Sequence, residues 1–154
     1  MSIDRPLRIM IVEDEALLLM ELEMFLESEG HQVVGTATSY REAADVSKEV
    51  NADIALVDIH LTDGPVGVEL GRYITQNTGT AVVFMTANVK RIPEDFSGAI
   101  GVVAKPYTNA GLRAALHYLV AAVRNPPPRA VPPLSLSLAP HLEEQWVDPQ
   151  SPDK

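Results

Sequence analysis

Residues 54–57, Ile-Ala-Leu-Val, run apolar without alternation and end in Asp58. A strand with one face in water alternates apolar and polar residues. An unbroken run suits a strand buried on both faces, as in a parallel sheet covered by helices. Residues 7–12, 32–37, 81–85 and 100–104 read as four further strands. Residues 16–29 read as a helix stopped by Gly30, with Leu18, Leu22, Phe25 and Leu26 as its core stripe. Ser39 is placed to cap a helix over 40–50, with Glu42 three residues after the cap. A third helix is expected over 66–76, with Val66, Leu70, Tyr73 and Ile74 inward, although Gly67 and Gly71 weaken it. Thr108 is placed to cap a last helix to Arg124, carrying Leu112, Leu116, Leu119 and Val123 inward. Pro93 interrupts 88–99, so a helix there should be short, late or irregular. Strands alternating with helices imply an α/β fold, a doubly wound five-stranded parallel sheet with helices on both faces.

The composition changes at residue 125. Eight of the twelve prolines lie in 125–154, a stretch too proline-dense to build its own core. The expected division is therefore a domain over 1–124 and a Pro-rich tail over 125–154. Leu134, Leu136 and Leu138 alternate, and Leu142 and Trp146 stand four apart. These could dock on the domain or on a partner; the other reading is a mobile tail.

A net charge of −9 argues against non-specific nucleic-acid binding and suits an acidic cleft for a divalent cation. The absence of cysteine excludes disulfides and thiolate metal sites. The N-terminus lacks the order of a signal peptide, and no apolar run approaches the roughly 18 residues needed to span a bilayer. The expectation is a cytoplasmic protein with no membrane association.

The polar residues at the strand ends carry the chemistry. The first strand runs into Glu13 and Asp14, the third into Asp58, the fourth into Thr86 and the fifth into Lys105. In a parallel sheet all of these ends lie on one edge, where open α/β sheets place their ligands. A lone Asp58 would read as a turn or cap residue. Three carboxylates together repel one another unless a cation sits between them, and hard oxygen donors favour Mg²⁺. Lysine and a threonine hydroxyl suit phosphoryl oxygens. The set is a site for placing a phosphoryl group on a carboxylate.

At these residues the chain resembles the receiver domain of two-component response regulators, over about residues 6–124. It carries the acidic pair after strand one, Val57-Asp58, Thr86-Ala87 and Lys105-Pro106. The resemblance implies strand order 2-1-3-4-5 and a phosphoryl group accepted on Asp58 from a sensor histidine kinase. It implies that Asp14 and Asp58 ligate Mg²⁺, with the backbone carbonyl of His60, and that Glu13 acts through water. Thr86 and Lys105 would bind the phosphoryl oxygens, and the Lys105–Pro106 bond would be cis. The His60 ring is expected to be a surface side chain.

Three departures stand out. The position where such domains carry a switch aromatic, three before the lysine, is Val102. Pro93 disturbs the fourth helix. Phe84-Met-Thr86-Ala-Asn88 partly resembles a stand-alone subgroup with a Phe-Ala-Thr-Gly-Tyr-like motif, whose members are often linked to HWE-type or related kinases.

The reading is a single-domain response regulator, not an enzyme with turnover. The residues after Arg124 are too few for a DNA-binding output domain. Output is expected through a downstream protein partner or as a phosphate sink. Leu17, Met20 and Met24, at i, i+3 and i+7 on another face of the first helix, are either a widened core stripe or a kinase-docking patch. One rival is a receiver-like binding module that works without phosphorylation. Another is a Mg²⁺-dependent phosphohydrolase, which lacks support from any Asp-x-Asp pair or Gly-rich phosphate loop.

Overall fold

The computed structural model describes residues 6–61, 64–128 and 130–147. Thr62 and Asp63 of the turn-rich segment after Asp58 lie outside the described residues, as do residues 1–5 of the N-terminus. Five strands are parallel: β1 (Arg8–Val12), β2 (Gln32–Ala37), β3 (Ile54–Asp58), β4 (Ala81–Thr86) and β5 (Gly101–Ala104). Their order is 2-1-3-4-5, as expected, and a sixth strand, β6 (Leu136–Leu138), extends the sheet beyond β5. Every residue of β3 is buried, which is why its sequence does not alternate.

Alternate strand residues feed two cores. Ile9, Ile11, Leu56, Val83 and Val103 face Leu22 and Leu26 of α1 (Ala16–Ser28) and Leu112 and Leu116 of α4 (Asn109–Arg124). Met10, Val57, Val82 and Phe84 join Ala43 of α2 (Tyr40–Glu49) and Leu70 and Ile74 of α3 (Gly67–Asn77). The expected inward residues Leu18, Phe25, Val66, Tyr73 and Val123 are only half-buried. Leu17, Met20 and Met24 are 66%, 56% and 64% exposed, so they form no part of the core.

The caps follow from side-chain chemistry. Ser39 Oγ accepts from the Glu42 amide at 3.2 Å, and the Glu42 carboxylate reaches back to the Thr38 amide at 2.8 Å. Thr108 Oγ1 accepts from the Gly111 amide at 2.9 Å. The two glycines of α3 have a packing reason that propensity alone hides. A Cβ on Gly67 would stand 2.4 Å from the Asp58 carbonyl, and one on Gly71 would stand 2.5 Å from the Phe84 ring. They let α3 lie close against the ends of β3 and β4.

Between β4 and β5 the described chain forms no α-helix. It makes two 3-10 turns, Val89–Arg91 and Phe96–Gly98, capped by Asn88 and Asp95. Phe96, Ser97 and Gly98 all have positive φ. Arg72 of α3 holds this turn by donating to Asp95 at 3.4 Å and to Ser97 Oγ at 3.2 Å.

The described part of the tail docks. β6 lies antiparallel to β5, with Leu136 and Leu138 buried, and α5 (Pro140–Trp146) follows. Pro140 suits the first turn of α5, where its missing N–H costs nothing. Leu134 does not share the alternation inward and is fully exposed. α4 buries more than one stripe: Ala115, Tyr118 and Ala122 are covered as well as the leucines, in one cluster with Leu136 and Leu138 of the tail.

Candidate functional site

Register brings the strand ends to one edge. Val12 lies beside Val57, Asp58 beside Met85, and Thr86 beside Ala104. The next residue, Lys105, donates its amide to the Thr86 carbonyl at 2.8 Å. Glu13, Asp58 and Thr86 are buried, and Asp14 is half-buried. The Lys105–Pro106 bond is cis.

Lys105 Nζ bridges two carboxylates. It donates to Asp58 Oδ2 at 3.0 Å and to Glu13 Oε1 at 3.2 Å. The remaining oxygens are held by the main chain: the His60 amide donates to Asp58 Oδ1 at 3.1 Å, and the Glu15 amide to Glu13 Oε2 at 3.2 Å. Burial pushes the Glu13 carboxyl above its ordinary range; the Glu15 amide and Lys105 oppose this, while Asp58 adds to it. For Lys105 burial acts downward, but the hydrogen bonds and charges of Asp58 and Glu13 outweigh it, and the ammonium form is stabilised.

One oxygen from each of Glu13, Asp14 and Asp58 lies within 4.8 Å of the others. Three carboxylates against one ammonium leave excess negative charge in a largely buried site. The donors are all hard oxygens, so the residues fit a small divalent cation of the Mg²⁺ class. Thr86 stands at the neighbouring strand end, where its Oγ1 accepts from the Asn88 amide at 3.0 Å and its own hydrogen is left to donate. The His60 ring is exposed.

Sequence reasoning named the His60 carbonyl but missed the main-chain donors of this site. The His60 and Glu15 amides carry no residue signal. Gly67, which permits the close approach of α3 to Asp58, was visible only as a weak helix former. A groove of about 470 Å³ also opens beside Lys105, between α1 and α4, walled by Leu18, Leu22, Phe25, Pro106, Tyr107 and Leu112. Val102 is buried, between Phe84 of β4 and Ser137 of β6.

Residues 9–117 match the model of the response regulator receiver domain. The chain belongs to that family. This receiver is 30% identical over 118 residues to the phyllosphere-induced regulator PhyR of Methylorubrum extorquens, covering 75% of the chain and 44% of the relative. It is 28% identical over 122 residues to the transcriptional regulatory protein PdtaR of Mycobacterium tuberculosis, covering 77% and 59%. The chain thus spans about half the length of these curated relatives. Among solved structures it resembles the receiver domain of PhyR from Erythrobacter litoralis, with a TM-score of 0.68 and 28% identity over 82% of this chain and 97% of that one. No helix among the described residues of the receiver is long and apolar enough to cross a membrane.

Proposed function

We propose that this receiver accepts a phosphoryl group on Asp58 from a sensor histidine kinase and signals through protein contacts or by draining phosphoryl groups. The observation that carries this reading is Lys105 Nζ bridging Asp58 and Glu13 within the three-carboxylate cluster. In the transfer, an Asp58 carboxylate oxygen attacks phosphorus. The P–O bond forms as the P–N bond to the kinase histidine breaks, and the imidazole keeps the bonding pair and takes a proton. Lys105 is already within reach of the attacking carboxylate and would follow the charge onto a phosphoryl oxygen. Thr86 would donate its hydroxyl hydrogen to another. Asp14, Asp58 and the His60 carbonyl would hold Mg²⁺, with Glu13 acting through water, and the ion would neutralise charge on the phosphoryl oxygens. The product stays on the chain, so one equivalent is taken up rather than turned over.

Leu17, Met20 and Met24 on α1, with the groove beside Lys105, are the proposed kinase-docking surface. They expose adaptable apolar side chains on the helix that follows Asp14. The partial motif around Thr86 favours an HWE-type or related kinase.

The test is intact mass after incubation with acetyl phosphate, with and without Mg²⁺, for the native chain and Asp58→Asn. One phosphoryl addition that needs both Mg²⁺ and Asp58 is expected. Failure with acetyl phosphate and then with candidate kinases would make a phosphorylation-independent binding module the leading reading.

A further inference from the structure

The outer edge of β5 is covered by the chain's own tail. Gly101, Val102 and Val103 pair with Leu138, Ser137 and Leu136, and the Ala139 amide donates to the Ile100 carbonyl at 2.9 Å. Ser135 Oγ donates to the Gly111 carbonyl in the first turn of α4 at 2.6 Å. Two glycines shape this seat. A Cβ on Gly101 would stand 2.7 Å from the Ser137 carbonyl oxygen, and its other nearest atoms also belong to the tail. A Cβ on Gly111 would stand 3.1 Å from the Thr108 cap oxygen and 3.3 Å from the Cβ of Ser135.

The seat is built and buries Leu136, Leu138 and Ala139, yet the paired stretch is short. β6 has three residues, and its link to α4 is Pro-rich. That link can stretch roughly 35 Å, more than the roughly 20 Å back along α4 from Arg124 to Gly111, so the tail reaches its seat without strain. Tyr118 falls seven residues after Gly111, on the same face of α4 as the Ser135 contact. It is buried, and its hydroxyl has no hydrogen-bond partner. Burial raises its phenol above the ordinary value. Tyr118 shares one core cluster with Leu136 and Leu138 of the tail.

The seat is joined to the acidic site through β5. Val103, the partner of Leu136, is two residues from Lys105, whose amide is tied to Thr86 and whose ammonium is held by Asp58 and Glu13. A phosphoryl group on Asp58 would change the partner of that ammonium at the end of β5. Val102 leaves no aromatic ring at the position where the family resemblance would place one.

We infer that residues 134–147 are a releasable strap, closed while Lys105 pairs with the Asp58 carboxylate and opened when Asp58 carries a phosphoryl group. The trigger rests on the phosphorylation proposed above. Opening uncovers the main-chain groups of Gly101–Val103 and the apolar face beside them. Such an edge takes up an extended segment of a partner protein by strand addition.

Trp146 is the single tryptophan and sits half-buried in the α4 core, so it reports on the strap. The experiment follows Trp146 emission and amide exchange of 134–147 in the full chain, while intact mass counts phosphoryl groups. Phosphorylation is expected to shift emission to the red and to remove protection from the tail amides, with no change in Asp58→Asn. Gly101→Val and, within the strap itself, Leu138→Asp should each show the released signature without a phosphoryl donor, since Leu138 is buried opposite Gly101. Far-UV circular dichroism checks that they fold, and Leu138→Asp keeps the test open because it leaves β1–β5 and the helices between them unchanged. A chain that gains the phosphoryl mass while emission and protection stay unchanged overturns the strap and leaves the phosphorylation reading standing. A chain that gains no mass overturns the phosphorylation reading and the strap's trigger with it, even where these variants release the tail.

Discussion

Lys105 Nζ lies 3.0 Å from Asp58 Oδ2, across 47 residues of sequence, and the contact is largely shielded from water. One ammonium thereby holds the nucleophile candidate and, through Glu13, one of the metal-ligand candidates. The same cation restrains the repulsion that a cluster of carboxylates would otherwise suffer.

Lys105→Met should therefore destabilise the metal-free chain at neutral pH by about 1–3 kcal/mol, because Glu13 and Asp58 stay buried without their hydrogen-bond donor. Glu13 already binds its proton more tightly than usual, and losing Lys105 strengthens that further. The variant should then regain stability as pH falls and Glu13 takes up its proton. Mg²⁺ should restore part of the loss at neutral pH. Urea unfolding in EDTA and in Mg²⁺ measures both effects; a variant as stable as the parent in EDTA would contradict them.

His31 gives a second pH dependence, far from the site. Its Nδ1 accepts from the buried Leu7 amide at 3.0 Å, and burial pulls the imidazole below its ordinary value, with Glu29 opposing. The folded chain thus prefers neutral His31. Its contribution is fully present above about pH 6.5, where the unfolded histidine is also neutral. It is lost as pH falls through the lowered folded value. In His31→Asn, whose side-chain oxygen can still accept, that part of the acid loss should disappear from urea midpoints compared across pH.

Arg124 ends α4 by donating to both oxygens of Asp53, at 3.1 and 2.9 Å, and to the Pro6 carbonyl at 2.7 Å. The guanidinium and carboxylate are mostly shielded, so the pair differs from an ordinary surface bridge. Arg124→Ala is expected to cost about 1–3 kcal/mol. A double-mutant cycle with Asp53→Ala should show coupling; additive losses would mean that the bidentate pair contributes little.

Met20 and Met24 are exposed, so replacing both by glutamine should change stability by only about 0.5 kcal/mol or less. Transfer from the kinase should slow while phosphorylation by acetyl phosphate stays the same. Equal slowing in the two reactions would remove α1 as the docking face.

Much of this molecule is legible in one dimension because its signals are local. Unbroken apolar runs are enough to mark β3 and β4, since burial on both faces leaves no position for a polar side chain. Ser39 and Thr108 cap the turns that immediately follow them. The residues of the acidic site were legible for a related reason: each ends a strand or follows within two residues of its end, and parallel strands put all such positions on one edge.

What only the tertiary structure decided are relationships between segments far apart in the chain. The bridge from Lys105 to both carboxylates and the clamp of Arg124 on Asp53 depend on distances that no local pattern encodes. Gly67 and Gly71 look like weak helix formers until the Asp58 carbonyl and the Phe84 ring are seen against them. Pro93 signalled trouble between β4 and β5, but the left-handed turn at Phe96 and Ser97 is held by Arg72 from another helix. The tail is the clearest case. Of the three alternating leucines, Leu136 and Leu138 form a strand only because the edge of β5 offers main-chain partners, while Leu134 stays exposed. A segment that cannot bury itself takes its structure from whatever surface it meets.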